Sequence, residues 1–117
     1  MRIMYVEDNQ ANAMLIQRVA SAGNHEFFNY IDGESALNHY DQVDPEVIFV
    51  DIQLAGEMDG LEFVRRVREA GITVPIIAIT AFANENERGM YLNAGCDHFI
   101  VKPASTKQLL DLLETIM

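Results

Sequence analysis

The chain has 117 residues, half of them hydrophobic and 22% charged, and a formal net charge of −10. That length suffices for one domain with a real core and not for two. The acidic excess opposes nucleic acid phosphates and anionic membranes, and no concentrated basic patch offsets it.

Apolar β-rich runs alternate with helical periods five times. The first strand is expected over about residues 2–6, where Ile3-Met4-Tyr5-Val6 leads into Glu7-Asp8. A helix follows over about 9–22, with Ala11, Leu15, Val19 and Ala22 at helical spacing and Gly23 available for a left-handed end. The second strand and helix fall at about 26–31 and about 34–41. The third strand, about 46–51, runs Val47-Ile48-Phe49-Val50 into Asp51. Its helix, about 60–70, sets Leu61, Val64 and Val67 on one side and ends at Gly71. The cluster Arg65-Arg66-x-Arg68 on this helix reads as a solvated face. The fourth strand, about 75–80, carries Ile76-Ile77-Ala78-Ile79 into Thr80. The next helix, about 84–94, opens Asn84-Glu-Asn-Glu87 and closes at Gly95. The fifth strand, about 98–101, leads into Lys102-Pro103. The last helix, about 105–116, opens with the capping box Ser105-Thr-Lys-Gln108 and buries Leu109, Leu112, Leu113 and Ile116.

Strands 3 and 4 are apolar without alternation, as strands covered on both faces are. Alternating βα units with right-handed crossovers predict an α/β fold, a doubly wound five-stranded parallel sheet. The order 2-1-3-4-5 is of the flavodoxin-like kind and opens a crevice between strands 1 and 3. Glu7, Asp8, Asp51, Thr80 and Lys102 then gather at the carboxyl edge of the sheet. Three carboxylates, a hydroxyl and an ammonium there point to chemistry on a phosphoryl group beside a divalent cation.

Cys96 is the only cysteine, so no internal disulfide forms; it reads as a small buried side chain. His25, His39 and His98 show no ligand spacing. No apolar run reaches membrane-spanning length and no signal-peptide pattern opens the chain, so a soluble cytoplasmic protein is expected.

Six segments carry a resemblance. They are Val6-Glu7-Asp8-Asn9, Val50-Asp51-Ile52-Gln53-Leu54, Met58-Asp59-Gly60-Leu61, Ile79-Thr80-Ala81, Ala94-Gly95-Cys96-Asp97 and Phe99-Ile-Val-Lys102-Pro103. In this order and at these spacings the chain resembles the receiver domain of two-component response regulators over essentially its full length. The resemblance implies that Asp51 accepts a phosphoryl group from a phosphohistidine. It implies that Glu7, Asp8, Asp51 and the backbone carbonyl of Gln53 hold Mg²⁺, with Mn²⁺ as a substitute. Thr80 and Lys102 would bind phosphoryl oxygens, Phe99 would change rotamer on activation, and Lys102-Pro103 would be a cis peptide. The implied partners are a histidine kinase or a histidine phosphotransfer domain, and a downstream protein on the face of helix 4, strand 5 and helix 5. No nucleic acid or membrane is implied. Leu110 and Met117, outside the main stripe of the last helix, mark a candidate patch for a second copy or a partner. One receiver domain over residues 1–117, with no output domain, is expected. The Glu7-Asp8-Asn9-Gln-Ala-Asn12 stretch and Ala78-Ile-Thr-Ala81 look like receivers of hybrid kinases and multistep phosphorelays.

These residue types suit the chemistry. A transferring phosphoryl group spreads negative charge over its oxygens, so catalysis is mostly positioning and neutralisation. A carboxylate is a competent nucleophile. Three carboxylates together repel one another and raise at least one pKa until a cation relieves them. The segment after Asp51 departs from the family pattern: Ala55 stands where proline is usual and one residue is inserted before Met58-Asp59-Gly60. The exchange should loosen the Ala55–Glu57 loop beside the metal site. Phe82, two residues after Thr80, is expected to cover the acyl phosphate.

Three other readings compete. A dehalogenase-type phosphatase wants a second acid two residues after its nucleophile, where this chain has Gln53. A flavin-binding module wants a phosphate loop after strand 1, where Glu7-Asp8 would repel it. A pseudo-receiver that only binds partners is opposed by the intact five-residue set, while the altered Ala55–Glu57 loop keeps that reading open as the alternative. The domain is thus expected to signal rather than to act as an enzyme on other substrates.

Overall fold

The computed structural model describes residues 1–54, 58–81, 85–102 and 105–116. The Ala55–Glu57 loop, Phe82, the Asn84 cap, the Lys102-Pro103 peptide and Met117 involve positions outside the described residues. Five strands alternate with five helices: β1 (Arg2–Val6), α1 (Gln10–Ala22), β2 (Glu26–Tyr30), α2 (Gly33–Val43), β3 (Val47–Asp51), α3 (Gly60–Glu69), β4 (Ile76–Thr80), α4 (Glu85–Ala94), β5 (His98–Val101) and α5 (Thr106–Ile116). All pairings are parallel and the order is β2-β1-β3-β4-β5, as the alternation predicts.

Each face of the sheet has its own core. Ile3, Tyr5, Val47, Phe49, Ile77 and Ile79 pack under α1 and α5, which supply Ile16, Val19, Leu109 and Leu113. Met4, Val6, Ile48, Val50, Ile76 and Ala78 pack under α2, α3 and α4, which supply Ala36, Phe63, Val64, Val67, Tyr91 and Ala94. β3 and β4 are buried along their whole length, which explains their lack of alternation.

Local chemistry sets the helix starts. Asn9, Asp32 and Asp59 are extended, and the side chain of each accepts the amide three residues on, from Asn12, Ser35 and Glu62. At α5 the capping box closes in both directions, Ser105 N to Gln108 Oε1 at 3.0 Å and Gln108 N to Ser105 Oγ at 3.1 Å. α2 runs two residues beyond its expected end and stops at Asp44, whose φ is 48°.

Three expectations are corrected. The inward stripe of α1 is Ala13, Ile16, Val19 and Ala20, whereas Ala11 and Ala22 face water and Leu15 is half-buried. Alanine tolerates either side, so it does not fix the phase of a helix. The left-handed residue after α1 is Asn24 (φ 59°), not Gly23 (φ −94°). Glycine serves at 23 for space, since a Cβ there would sit 2.8 Å from the His25 ring. Finally, the basic cluster divides. Arg65 and Arg66 are exposed and pair with Glu62. Arg68 instead donates to the carbonyls of Gly95 (3.0 Å), Ile72 (3.0 Å) and Val74 (2.8 Å) and to Asp97 Oδ2 (2.8 Å). Asp97 Oδ2 also accepts the Ile76 amide at 2.9 Å. This clasp ties α3, β4 and β5 at the amino edge of the sheet.

Candidate functional site

Four strands end together at the carboxyl edge, and each delivers a polar group there. β1 delivers Glu7 and Asp8, β3 Asp51, β4 Thr80 and β5 Lys102. Glu7, Asp51 and Thr80 are buried; Asp8 is exposed and Lys102 half-buried. The backbone locks these ends in place. Glu7 N donates to Tyr30 O at 2.9 Å, Ile52 N to Ile79 O at 3.1 Å, and Lys102 N to Thr80 O at 2.7 Å. Asn29 Nδ2 reaches the carbonyls of Tyr5 (3.0 Å) and Glu7 (3.2 Å).

Asp51 is held from both sides. Its Oδ1 accepts the Gln53 amide at 2.9 Å and its Oδ2 accepts Lys102 Nζ at 3.1 Å. The turn that presents that amide is packed against α3: Gly60 N donates to Ile52 O at 3.3 Å. A Cβ on Gly60 would lie 2.4 Å from Asp51 O and 2.6 Å from Ile52 Cα. The Asp59-Gly60 pair is thus a cap followed by a close backbone approach.

Glu7 points inward. Its Oε1 accepts Asn12 Nδ2 at 2.8 Å and lies 4.0 Å from Lys102 Nζ. Its Oε2 is buried with no hydrogen-bond partner among the described residues. Burial, followed by the neighbouring Asp51 carboxylate, pushes Glu7 up to about 7, against the lowering pull of Asn12 and Lys102. The Tyr5 phenol is also raised, first by burial and then by the charges of Glu7, Asp51 and Asp8. At the far edge, burial lifts the Cys96 thiol to about 11, which fits an inert core side chain.

Glu7, Asp8 and Asp51 each offer an oxygen, and these oxygens lie within 4.8 Å of one another. An all-oxygen, carboxylate-rich set suits a hard divalent cation. The orphaned Glu7 Oε2 is the kind of buried atom such a cation satisfies. The residues present therefore fit the Mg²⁺ that the sequence resemblance implies. Gln53 is fixed through its N–H, which leaves its carbonyl as an expectation from the sequence.

Thr80 Oγ1 lies 3.0 Å from the Tyr91 hydroxyl. Phe99 is half-buried; its ring centroid is 6.2 Å from that of Tyr91, tilted by 54°, and Arg88 Cζ stands 4.8 Å above it. Sequence reasoning missed Tyr91, which falls three residues before Ala94 on the inward side of α4. It quoted Asn12 only within a motif, yet Asn12 orients Glu7.

Comparison with known proteins agrees with this geometry. The response regulator receiver domain profile matches residues 3–114. The transcriptional regulatory protein TrcR of Mycobacterium tuberculosis is 31% identical over 116 residues, spanning 99% of this chain and 45% of that protein. The chain thus spans under half the length of that relative. The polar-differentiation response regulator DivK of Brucella ovis is 31% identical over 117 residues, spanning 98% of this chain and 94% of that protein. The solved structure of the chemotaxis protein CheY4 of Vibrio cholerae matches in fold with a TM-score of 0.90 at 23% identity, covering 98% of this chain and 97% of that one. With a matching profile over nearly its whole length and the five polar residues of the sequence motif meeting on one sheet edge, the chain belongs to the response regulator receiver domain family.

Proposed function

We propose that the chain accepts a phosphoryl group onto Asp51 from a phosphohistidine, and that this is the event it signals. Receiver domains are phosphorylation-dependent signalling domains that interact with histidine kinases or phosphotransfer proteins. The observation that carries it is the setting of Asp51: a buried carboxylate with one oxygen 3.1 Å from Lys102 Nζ and a second and third carboxylate within 4.8 Å.

In the transfer, an Asp51 oxygen forms the new O–P bond as the P–N bond to the donor imidazole breaks, and the imidazole nitrogen keeps the electron pair. Lys102 trades its contact with the carboxylate for one with a phosphoryl oxygen. The Thr80 hydroxyl donates to another, and the Gln53 amide keeps the acceptor oriented. Glu7, Asp8 and Asp51, with the Gln53 carbonyl, would hold Mg²⁺ (or Mn²⁺), which when bound offsets the negative charge of both carboxylates and phosphoryl group. Asn12 holds Glu7 in the inward rotamer this needs. The product adds about −1.5 to −2 charge at the sheet edge. Phe99, half-buried beside α4, would be the aromatic that turns inward. The exposed Leu92, Val101 and Leu110 give the α4-β5-α5 face the apolar character for a downstream protein or a second copy. Among the described residues no helix is long and apolar enough to cross a membrane.

Incubation with Mg²⁺ and acetyl phosphate, read by intact mass, tests the reading. A single phosphoryl addition, lost in Asp51→Ala, is expected. Absence of both modification and Mg²⁺ binding in the wild-type chain would reject it in favour of a pseudo-receiver.

A further inference from the structure

We infer that Asn12 is a positioning residue that sets which cation the carboxylate cluster prefers: by occupying one oxygen of Glu7 it makes Glu7 a single-oxygen ligand, which suits Mg²⁺ and disfavours Ca²⁺. The inference rests on the metal-holding role given to Glu7, Asp8 and Asp51 above.

Asn12 is the third residue of α1, where the side chain of a capping box turns back to the cap residue. Here the Asn12 amide donates to Asn9 Oδ1 at 3.1 Å, while its side chain reaches Glu7 Oε1 at 2.8 Å. The main chain of Glu7 is held as well. Its N–H donates to Tyr30 O at 2.9 Å and its carbonyl accepts Asn29 Nδ2 at 3.2 Å. With both ends of the residue fixed, the two carboxylate oxygens are not equivalent. Oε1 faces donors: Asn12, and more distantly Lys102 Nζ at 4.0 Å, whose nearer partner is Asp51 Oδ2 at 3.1 Å. Oε2 is buried with no hydrogen-bond partner among the described residues, and it is the oxygen left for a cation. Asp51 is restrained in the same sense, with the Gln53 amide on one oxygen and Lys102 on the other.

Mg²⁺ takes about six ligands at about 2.0–2.1 Å and keeps several waters beside one or two carboxylates. Ca²⁺ takes roughly six to eight oxygens at about 2.3–2.6 Å, often with a carboxylate supplying both of its own. Buried carboxylates that already spend oxygens on N–H donors serve the first ion better than the second. Without Asn12, the long Glu7 side chain gains rotamer freedom that Mg²⁺ binding must remove again. Its Oε1 is then free to join Oε2 on the larger ion.

Asn12→Leu keeps a side chain of similar size and deletes the donor. Mg²⁺ and Ca²⁺ are titrated separately into the full chain, free of phosphodonor, and followed by the amide chemical shifts of Asp8 and Gln53. The wild type should bind Mg²⁺ more tightly than Ca²⁺. In Asn12→Leu the Mg²⁺ affinity should fall about tenfold, as loss of a partner behind a metal ligand does, with Ca²⁺ affinity held or raised. Glutamine has one side-chain oxygen, so in a Glu7→Gln background the same substitution should leave the ratio of the two affinities unchanged. An equal fall for both ions in Asn12→Leu shows a merely structural asparagine and overturns the inference, as do unchanged affinities or a wild type that prefers Ca²⁺. A wild-type chain that binds neither ion, or binds them equally well as Asp51→Ala, sinks the metal-site reading itself, which those two arms report separately.

Discussion

Gly60→Ala tests whether the acceptor turn is built on a backbone-to-backbone contact. The added methyl would sit 2.4 Å from Asp51 O and 2.6 Å from Ile52 Cα. Both are main-chain atoms, so no side chain can swing aside. Reaching an ordinary contact of 3.4 Å takes a displacement of roughly 1 Å at the first atom, against packed cores on both sides. Overpacking of this kind costs about 1–3 kcal/mol, and helix propensity returns at most about 1 kcal/mol. At about 2.1 cal/mol/K per residue, a net loss of about 2 kcal/mol lowers the melting temperature of a chain this size by about 8 °C. Because the displaced segment carries Asp51 and the Gln53 amide, labelling by acetyl phosphate should slow as well. A thermal melt and an intact-mass time course measure the two. Wild-type values in both would refute the claim that glycine at 60 is required by space.

Two further outcomes follow from the same geometry. Glu7 is raised from 4.5 to about 7, so its contribution to apo stability is complete below about pH 4.5 and is lost as pH rises through about 7. The loss is about 3 kcal/mol at most, so urea denaturation should show falling stability over that window, a slope that flattens in Glu7→Gln; an unchanged slope would place the titration elsewhere. Arg68→Met keeps the aliphatic stem but strands three carbonyls and Asp97. It should cost about 2–4 kcal/mol in denaturation and leave acetyl phosphate labelling of Asp51 unchanged, since the clasp is at the opposite edge of the sheet; a slowed labelling rate would contradict that separation.

The element order and the site were legible because each strand that feeds the site ends in a polar residue after an apolar run. Parallel pairing then carries those residues to one edge without further information. The phase of α1 was not legible, because alanines at 11, 13, 20 and 22 give water and core the same residue. Asn24 was overlooked because glycine is the commoner left-handed residue, while Gly23 answers to His25. Arg68 and Tyr91 escaped for a shared reason. Each acts on a partner from another element, 27 to 29 residues away for Arg68 with Gly95 and Asp97 and 11 for Tyr91 with Thr80. A one-dimensional pattern records which face of a helix is apolar, not what its polar atom meets.

The Arg68 clasp also has a mechanical meaning. It holds the carbonyl of Gly95, immediately past the carboxyl end of α4, and joins it to α3 and to the entrances of β4 and β5. One end of α4 is therefore a fulcrum. The helix has ten residues, about 15 Å of lever arm. A tilt of about 10° about the clasp leaves Gly95 in place and sweeps the opposite end through about 2–3 Å. An adjustment beside Thr80 that tilted α4 would be magnified along the helix, with the far edge of the sheet held as the frame for the movement.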